Sequence, residues 1–375
     1  MSPGAFLGAS ASILAVKTCC CLLLCLDRRS GAVGWQRPLD SGNALYGKQN
    51  MASCSPVSDG TLLWAMTGTG VLTCFTMDGE QRWQRRLQDD FGEFSLNWGY
   101  ASSPTLIDRK VVVQVLHGST APAASYVVAF DGGSGETAWK VERKTGATRE
   151  CPDAYTTPVL LRQPGGAQII VSGANFVTSH NAADGAEVWR CGGLNPSDSG
   201  NYRICASPLV VGERVIVPSR VRPMIAVRAG GAGDVTDTHR AWTFDEPRGT
   251  DVPTPVSDGE RVFLVNDRGI VTCLDATSGE VVWGPQRTAS GTVSASPLLA
   301  DGRVYITNEQ AVTTVLEAGP AFKTLATNDL DDSYTLASIA VSSGQLFIRT
   351  SDTLYCIGKA LDAGRAESER GAGEK

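Results

Sequence analysis

Along most of the chain, apolar and polar positions alternate in short runs separated by clusters of Gly, Asp, Ser and Asn. A period of two puts successive side chains on opposite faces of an extended strand, and the 3.6-residue spacing of an amphipathic helix is missing from these runs. The pattern predicts an all-β protein of many short strands and tight turns. The runs also recur. A tail phrase ending on tryptophan appears as "LLLCLDRRSGAVGW" (22–35), "VLTCFTMDGEQRW" (71–83), "YVVAFDGGSGETAW" (126–139), "FVTSHNAADGAEVW" (176–189) and "GIVTCLDATSGEVVW" (269–283), each with a glycine four residues before the tryptophan. A head phrase precedes each later tail, with its proline at 56, 104, 158, 208, 255 and 297, and "ASIAVSSGQLFIRT" (337–350) continues the series without one. Self-similarity at this period marks a repeat architecture.

One unit reads as four antiparallel strands. Ser/Thr-Pro leads into a first strand, and an Asp-Gly turn (Asp59-Gly60, Asp258-Gly259, Asp301-Gly302) suits a hairpin whose central residues take positive φ. A "RVFLV" strand, a turn, an "IVTCLD" strand, a second turn and an "EVVW" strand complete the unit. Four such strands are one blade of a β-propeller, and blades must stack because none buries both of its faces alone. Each indole (Trp35, Trp83, Trp139, Trp189, Trp242, Trp283) is expected to lie over a neighbouring blade, with the nearby glycine permitting the turn that aims it. Seven head phrases are visible. Ser2-Pro3, 53 residues before Pro56, makes residues 2–35 an eighth, eroded repeat. The expectation is an all-β, eight-bladed β-propeller of four-stranded antiparallel blades, its first or last blade incomplete.

Composition narrows the chemistry. A net charge of −6 without Lys/Arg clusters argues against nucleic acid as a partner. The eleven cysteines lack zinc-type spacing, and Cys25, Cys74, Cys273 and Cys356 fall beside leucines in strands, as core-packing thiols would. His117, His180 and His239 stand in different repeats, and no nucleophile elbow, phosphate loop or HExxH is present; "AGGAGD" (229–234) lies between strands, not at a helix start. No metal site and no catalytic residue is assigned.

"CLDATSGEVVW" (273–283) and "AFDGGSGETAW" (129–139) resemble the AxDxxTGxxxW docking repeat of pyrroloquinoline-quinone-type propellers. With "FGEFSLNWGYASSP" (91–104), "DAYTTPVLL" (153–161), "DVPTPVSDG" (251–259) and "FIRTSDTLYCIGK" (347–359), the chain from about 22 to 358 is similar to exported, quinoprotein-like bacterial propellers, often described as similar to the lipoprotein scaffold of the outer-membrane β-barrel assembly machine. The resemblance implies a single propeller over 22–359 and a periplasmic or otherwise extracytoplasmic location. Residues 1–21 then form an eroded first repeat or a mis-started or signal-like N-terminus, and 360–375 a disordered polar tail. It also implies an alternative, a dehydrogenase using the quinone with calcium. Such enzymes carry a vicinal disulfide and a Glu/Asn calcium set with an Asp base, whereas the adjacent cysteines here, Cys19-Cys20-Cys21, stand in the N-terminal segment. No cofactor is expected outside that alternative.

In propellers of this type the segment entering each innermost strand lies at the mouth of the central channel. Here those segments carry Asn97, Trp98, Tyr100, Asp153, Tyr155, Asn201, Tyr202, Arg203 and Asp251. Aromatic rings beside amides and charges suit capture of a peptide, glycan or small ligand; the competing assignment makes Tyr100, Tyr155 and Tyr202 half-buried caps of neighbouring loops. The function read from the sequence is a non-catalytic, monomeric binding or scaffold protein with a protein or glycan partner and no transmembrane segment. The alternatives are the quinone-dependent dehydrogenase and a scaffold for β-barrel assembly.

Overall fold

The computed structural model describes residues 9–16, 20–42, 44, 47–118, 121, 123–247 and 249–358. Its strands pair almost wholly with sequence neighbours in antiparallel order, as the alternating runs require. The blade formed by Thr105–Ile107, Lys110–Val115, Tyr126–Asp131 and Thr137–Glu142 is representative. Val111, Val113 and Val115 face the preceding blade, packing with Trp64, Met66 and Leu72, while Val112, Val127 and Ala129 face the following one, packing with Ile169 and Val171. The same period of two that wrote the strands therefore divides each blade between two apolar layers. The core is a series of such layers between successive sheets, not one central mass.

The blade count corrects the sequence expectation: the propeller has seven blades, not eight. Seven units are entered by the inner-strand phrase, six of them with four strands of their own and the last with three, Ala340–Ser342, Gln345–Arg349 and Leu354–Gly358. Residues read as an eighth repeat instead form a three-stranded sheet, Ala9–Val16, Cys20–Asp27 and Val33–Ser41, with no innermost strand among the described residues. The physical reason lies in what the described strands supply: counterparts of a blade's second, third and fourth strands, and none that lines the channel. This sheet lies between the seventh and first blades. Arg28 hydrogen-bonds Gln345 Oε1 at 2.7 Å and the Ser342 carbonyl on one side, and Trp35 reaches Met77 on the other. The polar tail 360–375 and Cys19 lie outside the described residues.

The tail turns explain the glycine–tryptophan spacing. Asp275 Oδ1 accepts the amides of Thr277 and Ser278, both at 2.8 Å, and Asp131 does the same for Gly133 and Ser134. The chain then turns through a glycine at positive φ, Gly135 at 74° and Gly279 at 76°. The preceding blade's indole lies on that glycine: a Cβ on Gly135 would stand 2.6 Å from Trp83, one on Gly185 2.4 Å from Trp139, and one on Gly279 2.6 Å from Trp242. Each indole N–H donates to a carbonyl of the next blade, Trp83 to Gly132, Trp139 to Ala182, Trp242 to Ala276 and Trp283 to Gly319. Trp189 differs, donating to Gln168 of its own blade, and the following repeat carries "RAGGAGD" (228–234) where its neighbours have a single-glycine turn. In its place Gly233–Asp234 adds as a parallel fifth strand beside Trp189 and Arg190.

Two sequence details come out differently. Of the three Asp-Gly turns, Asp301-Gly302 alone has both residues at positive φ (49° and 68°). Asp59 and Asp258 instead cap three-residue loops, accepting Leu62 N–H at 2.8 Å and Arg261 N–H at 2.7 Å. Cys25, Cys74 and Cys273 are buried as expected, but Cys356 is exposed, because its strand is the last of a three-stranded blade.

Candidate functional site at the channel mouth

Because strands alternate in direction, the loops entering each blade and the turns between second and third strands share one end of the molecule, opposite the tryptophan turns. Several predicted residues meet there. Asp153 Oδ2 accepts Asn97 N–H at 2.9 Å, and Tyr155 Oη accepts Trp98 N–H at 3.2 Å, tying the second blade's entry loop to the third's. Trp98 is 45% exposed. Its indole N–H donates to Glu150 Oε1 at 3.1 Å, and the Arg203 guanidinium lies 5.9 Å from its ring centroid and 3.9 Å from Glu150. Arg220 continues the series, donating to the Asn201 carbonyl at 2.6 Å and standing 3.8 Å from Asp251. Tyr202 presents its backbone N–H to Cys151 Sγ at 3.3 Å.

Tyr100 is not part of this group. It is 1% exposed and its hydroxyl donates to the Gln114 carbonyl at 2.9 Å, inside the layer between the first two blades. Residue type could not separate it from Trp98, two positions earlier, and neither could a period of two, which gives both the same face.

Electrostatics at the mouth are set by burial. Asp153 is 1% exposed, and burial, reinforced by Glu150 and opposed by the Asn97 amide, pushes its carboxyl up to about 6. Asp267 is raised by burial and by the neighbouring Asp251. Burial pushes the Cys205 thiol up to about 12, so it stays protonated at neutral pH. Across the opening, Lys48 pairs with Glu309, which also accepts the Ser294 hydroxyl at 2.6 Å. Sequence reasoning missed Glu150, Arg220, Lys48, Asp267 and Glu309. Asp267 and Glu309 were legible in the repeat itself, since each follows an asparagine at the same turn of successive blades, "NDRG" and "NEQA".

Asp153 and Asp251 each keep one buried carboxylate oxygen without a protein partner, and no three His, Cys, Asp or Glu side chains among the described residues are grouped to hold a metal ion. Cys21 lies buried in the N-terminal sheet, paired in register with Ala15 and Asp40, away from the mouth.

The family model described as "Outer membrane protein assembly factor BamB" (PQQ_2) matches residues 22–229 and 231–323. The chain belongs to this family. No curated protein matches it by sequence. Among solved structures it is similar to BamB from Moraxella catarrhalis, at 16% identity and TM-score 0.63, covering 95% of this chain and 94% of that one. It is also similar to a europium-containing methanol dehydrogenase, at 11% identity and TM-score 0.64, covering 92% and 83%. A quinohemoprotein alcohol dehydrogenase from Comamonas testosteroni follows, at 8% identity and TM-score 0.59, covering 92% and 70%. At these identities the structural likenesses speak for the fold alone.

Proposed function

We propose that this BamB-family propeller is a non-catalytic protein-binding scaffold acting outside the cytoplasm in the assembly of outer-membrane β-barrels, with the channel-mouth face as its docking surface. The observation that carries the reading is the exposed Trp98 held between Glu150 and Arg203: an aromatic anchor beside opposite charges is the composition of a protein contact. A monomeric propeller would present one such patch per molecule. None of the helices among the described residues is long and apolar enough to cross a membrane.

A photo-crosslinking residue at position 98 tests it. The reading expects adducts with components of the β-barrel assembly machine and their loss in Arg203→Glu; adducts with neither the machine nor its substrates overturn it. The dehydrogenase reading has the structural neighbours in its favour, and no three His, Cys, Asp or Glu side chains among the described residues are grouped to hold its metal ion. It predicts a saturable absorbance change and a rise in melting temperature when the chain is mixed with the quinone and calcium; the scaffold reading predicts neither.

A further inference from the structure

On the same end of the molecule, but outside the mouth, residues 117, 118, 121 and 123–125 and the chain leaving the second blade at 143–152 line an open cavity of about 230 Å³. His117, Ser125, Arg143, Gly146 and Pro152 are among its lining residues. Two of these are buried side chains with a nitrogen that makes no well-formed hydrogen bond: Arg143, 3% exposed, at Nη1, and His117, 2% exposed, at Nε2, with the Ala123 and Ala124 backbone beside the imidazole. The rest of the Arg143 guanidinium is held by neutral groups. Nε donates to Thr178 Oγ1 at 2.9 Å, and Nη2 donates to the carbonyls of Gly173 and Phe176, both at 2.8 Å. Nearby carboxylates are already engaged, Glu187 by Arg190 and Glu142 by Lys144. A buried cation without a counter-ion is unfavourable on its own, and burial pushes Arg143 down to about 9. His117 Nδ1 accepts the Ser95 N–H at 3.4 Å, which puts the imidazole proton on Nε2 and makes that nitrogen a donor.

We infer that this cavity is a carboxylate-binding site, with Arg143 Nη1 supplying the counter-charge and His117 Nε2–H a second hydrogen bond. A monoanion matches the single uncompensated positive charge. A phosphate dianion would leave negative charge in excess, beside Asp153, whose Oδ1 also lacks a partner and lies behind Gly118, where an added Cβ would stand 3.1 Å from it. The cavity has room for a carboxylate on a short stem, so a free organic acid and a peptide C-terminus share the required chemistry. The inference stands apart from the scaffold reading and does not need it.

The test uses ¹⁵N-arginine-labelled protein titrated with sodium acetate against sodium chloride at constant ionic strength, with Arg143 assigned from Arg143→Lys. A saturable shift of the Arg143 guanidinium resonance is expected, with an affinity on the order of 1 mM for one charge-assisted pair. His117→Phe, which keeps a ring beside Tyr126, should weaken it roughly tenfold and covers the case in which an Arg143 variant does not fold. An acetylated dipeptide with a free C-terminus, compared with its C-terminal amide, separates peptide from free acid as the source: both acetate and the free-terminus dipeptide binding, or acetate alone, supports the site. No saturable shift up to about 0.1 M acetate overturns it. So does inorganic phosphate binding more tightly than acetate, or a shift unchanged in His117→Phe.

Discussion

The two ends of this propeller use aspartate in opposite ways. At the tryptophan end, Asp27, Asp131 and Asp275 sit in exposed turns, where backbone amides hold each carboxyl below its usual range. At the mouth, Asp153 is buried and Asp267 half-buried, and both are raised. The first group recurs because several sheets are built with the same turn; the second does not, because each mouth loop is different. Aspartates at the tryptophan end therefore belong to the folding of the repeat. Those at the mouth work against stability at neutral pH, as groups shaped for something other than folding do.

Breaking the turn end should have the largest effect. Gly185→Val places a β-branched residue at φ 78°, with its Cβ about where the Trp139 ring lies, and should lower stability by roughly 3 kcal/mol or more, read as a fall in denaturant midpoint. Gly146→Val, at φ 73° with open space around its Cβ, separates backbone strain from indole displacement and should lose far less.

Asp153→Asn sharpens the comparison through pH. A carboxyl raised from 3.8 to about 6 on folding contributes stability that is present below pH 4 and lost as pH rises through 6. The loss is on the order of 2–3 kcal/mol. The variant should flatten the stability profile across that window; an unchanged profile would place the effect elsewhere. The turn aspartates have the opposite sign, adding stability above pH 4 that disappears as pH falls below it. Asp275→Ala should therefore cost about 1 kcal/mol at pH 7 and little at pH 2 to 3, measured by thermal unfolding at both. The smallest expected change in stability is for Trp98→Ala, below about 0.5 kcal/mol, because the ring is half exposed. Its effect should appear instead in crosslinking to partner proteins.

How much was legible depends on whether a residue belongs to the repeat. The strands, the asparagine- and aspartate-capped turns and five of the six inter-sheet indole contacts follow from spacing, because each copy confirms the others. Trp189 shows the limit. It carries the same phrase as its neighbours, yet the next repeat has "RAGGAGD" (228–234) where the single-glycine turn would stand, and a parallel strand at Gly233–Asp234 lies beside it. At the mouth, Asn97, Trp98, Asp153, Tyr155, Arg203 and Asp251 were found as a list of residues, and Glu150 and Arg220, which link several of them, were not. Nothing local distinguishes a loop glutamate that meets an indole from one that meets water.

The sequence by itself determined the strands, their turns and the faces they bury, because those depend on a period of two and on side chains reaching their own backbone within a few residues. It also decided which indoles could dock, by placing glycine where a ring must approach. Only the tertiary structure decided that the N-terminal segment is a partial sheet and that Tyr100 packs inward while Trp98 faces out. It alone left Arg143 buried without a counter-ion. Those outcomes depend on groups far apart in the chain meeting at the ring's rim, where burial and charge act over distances that no spacing along the sequence encodes.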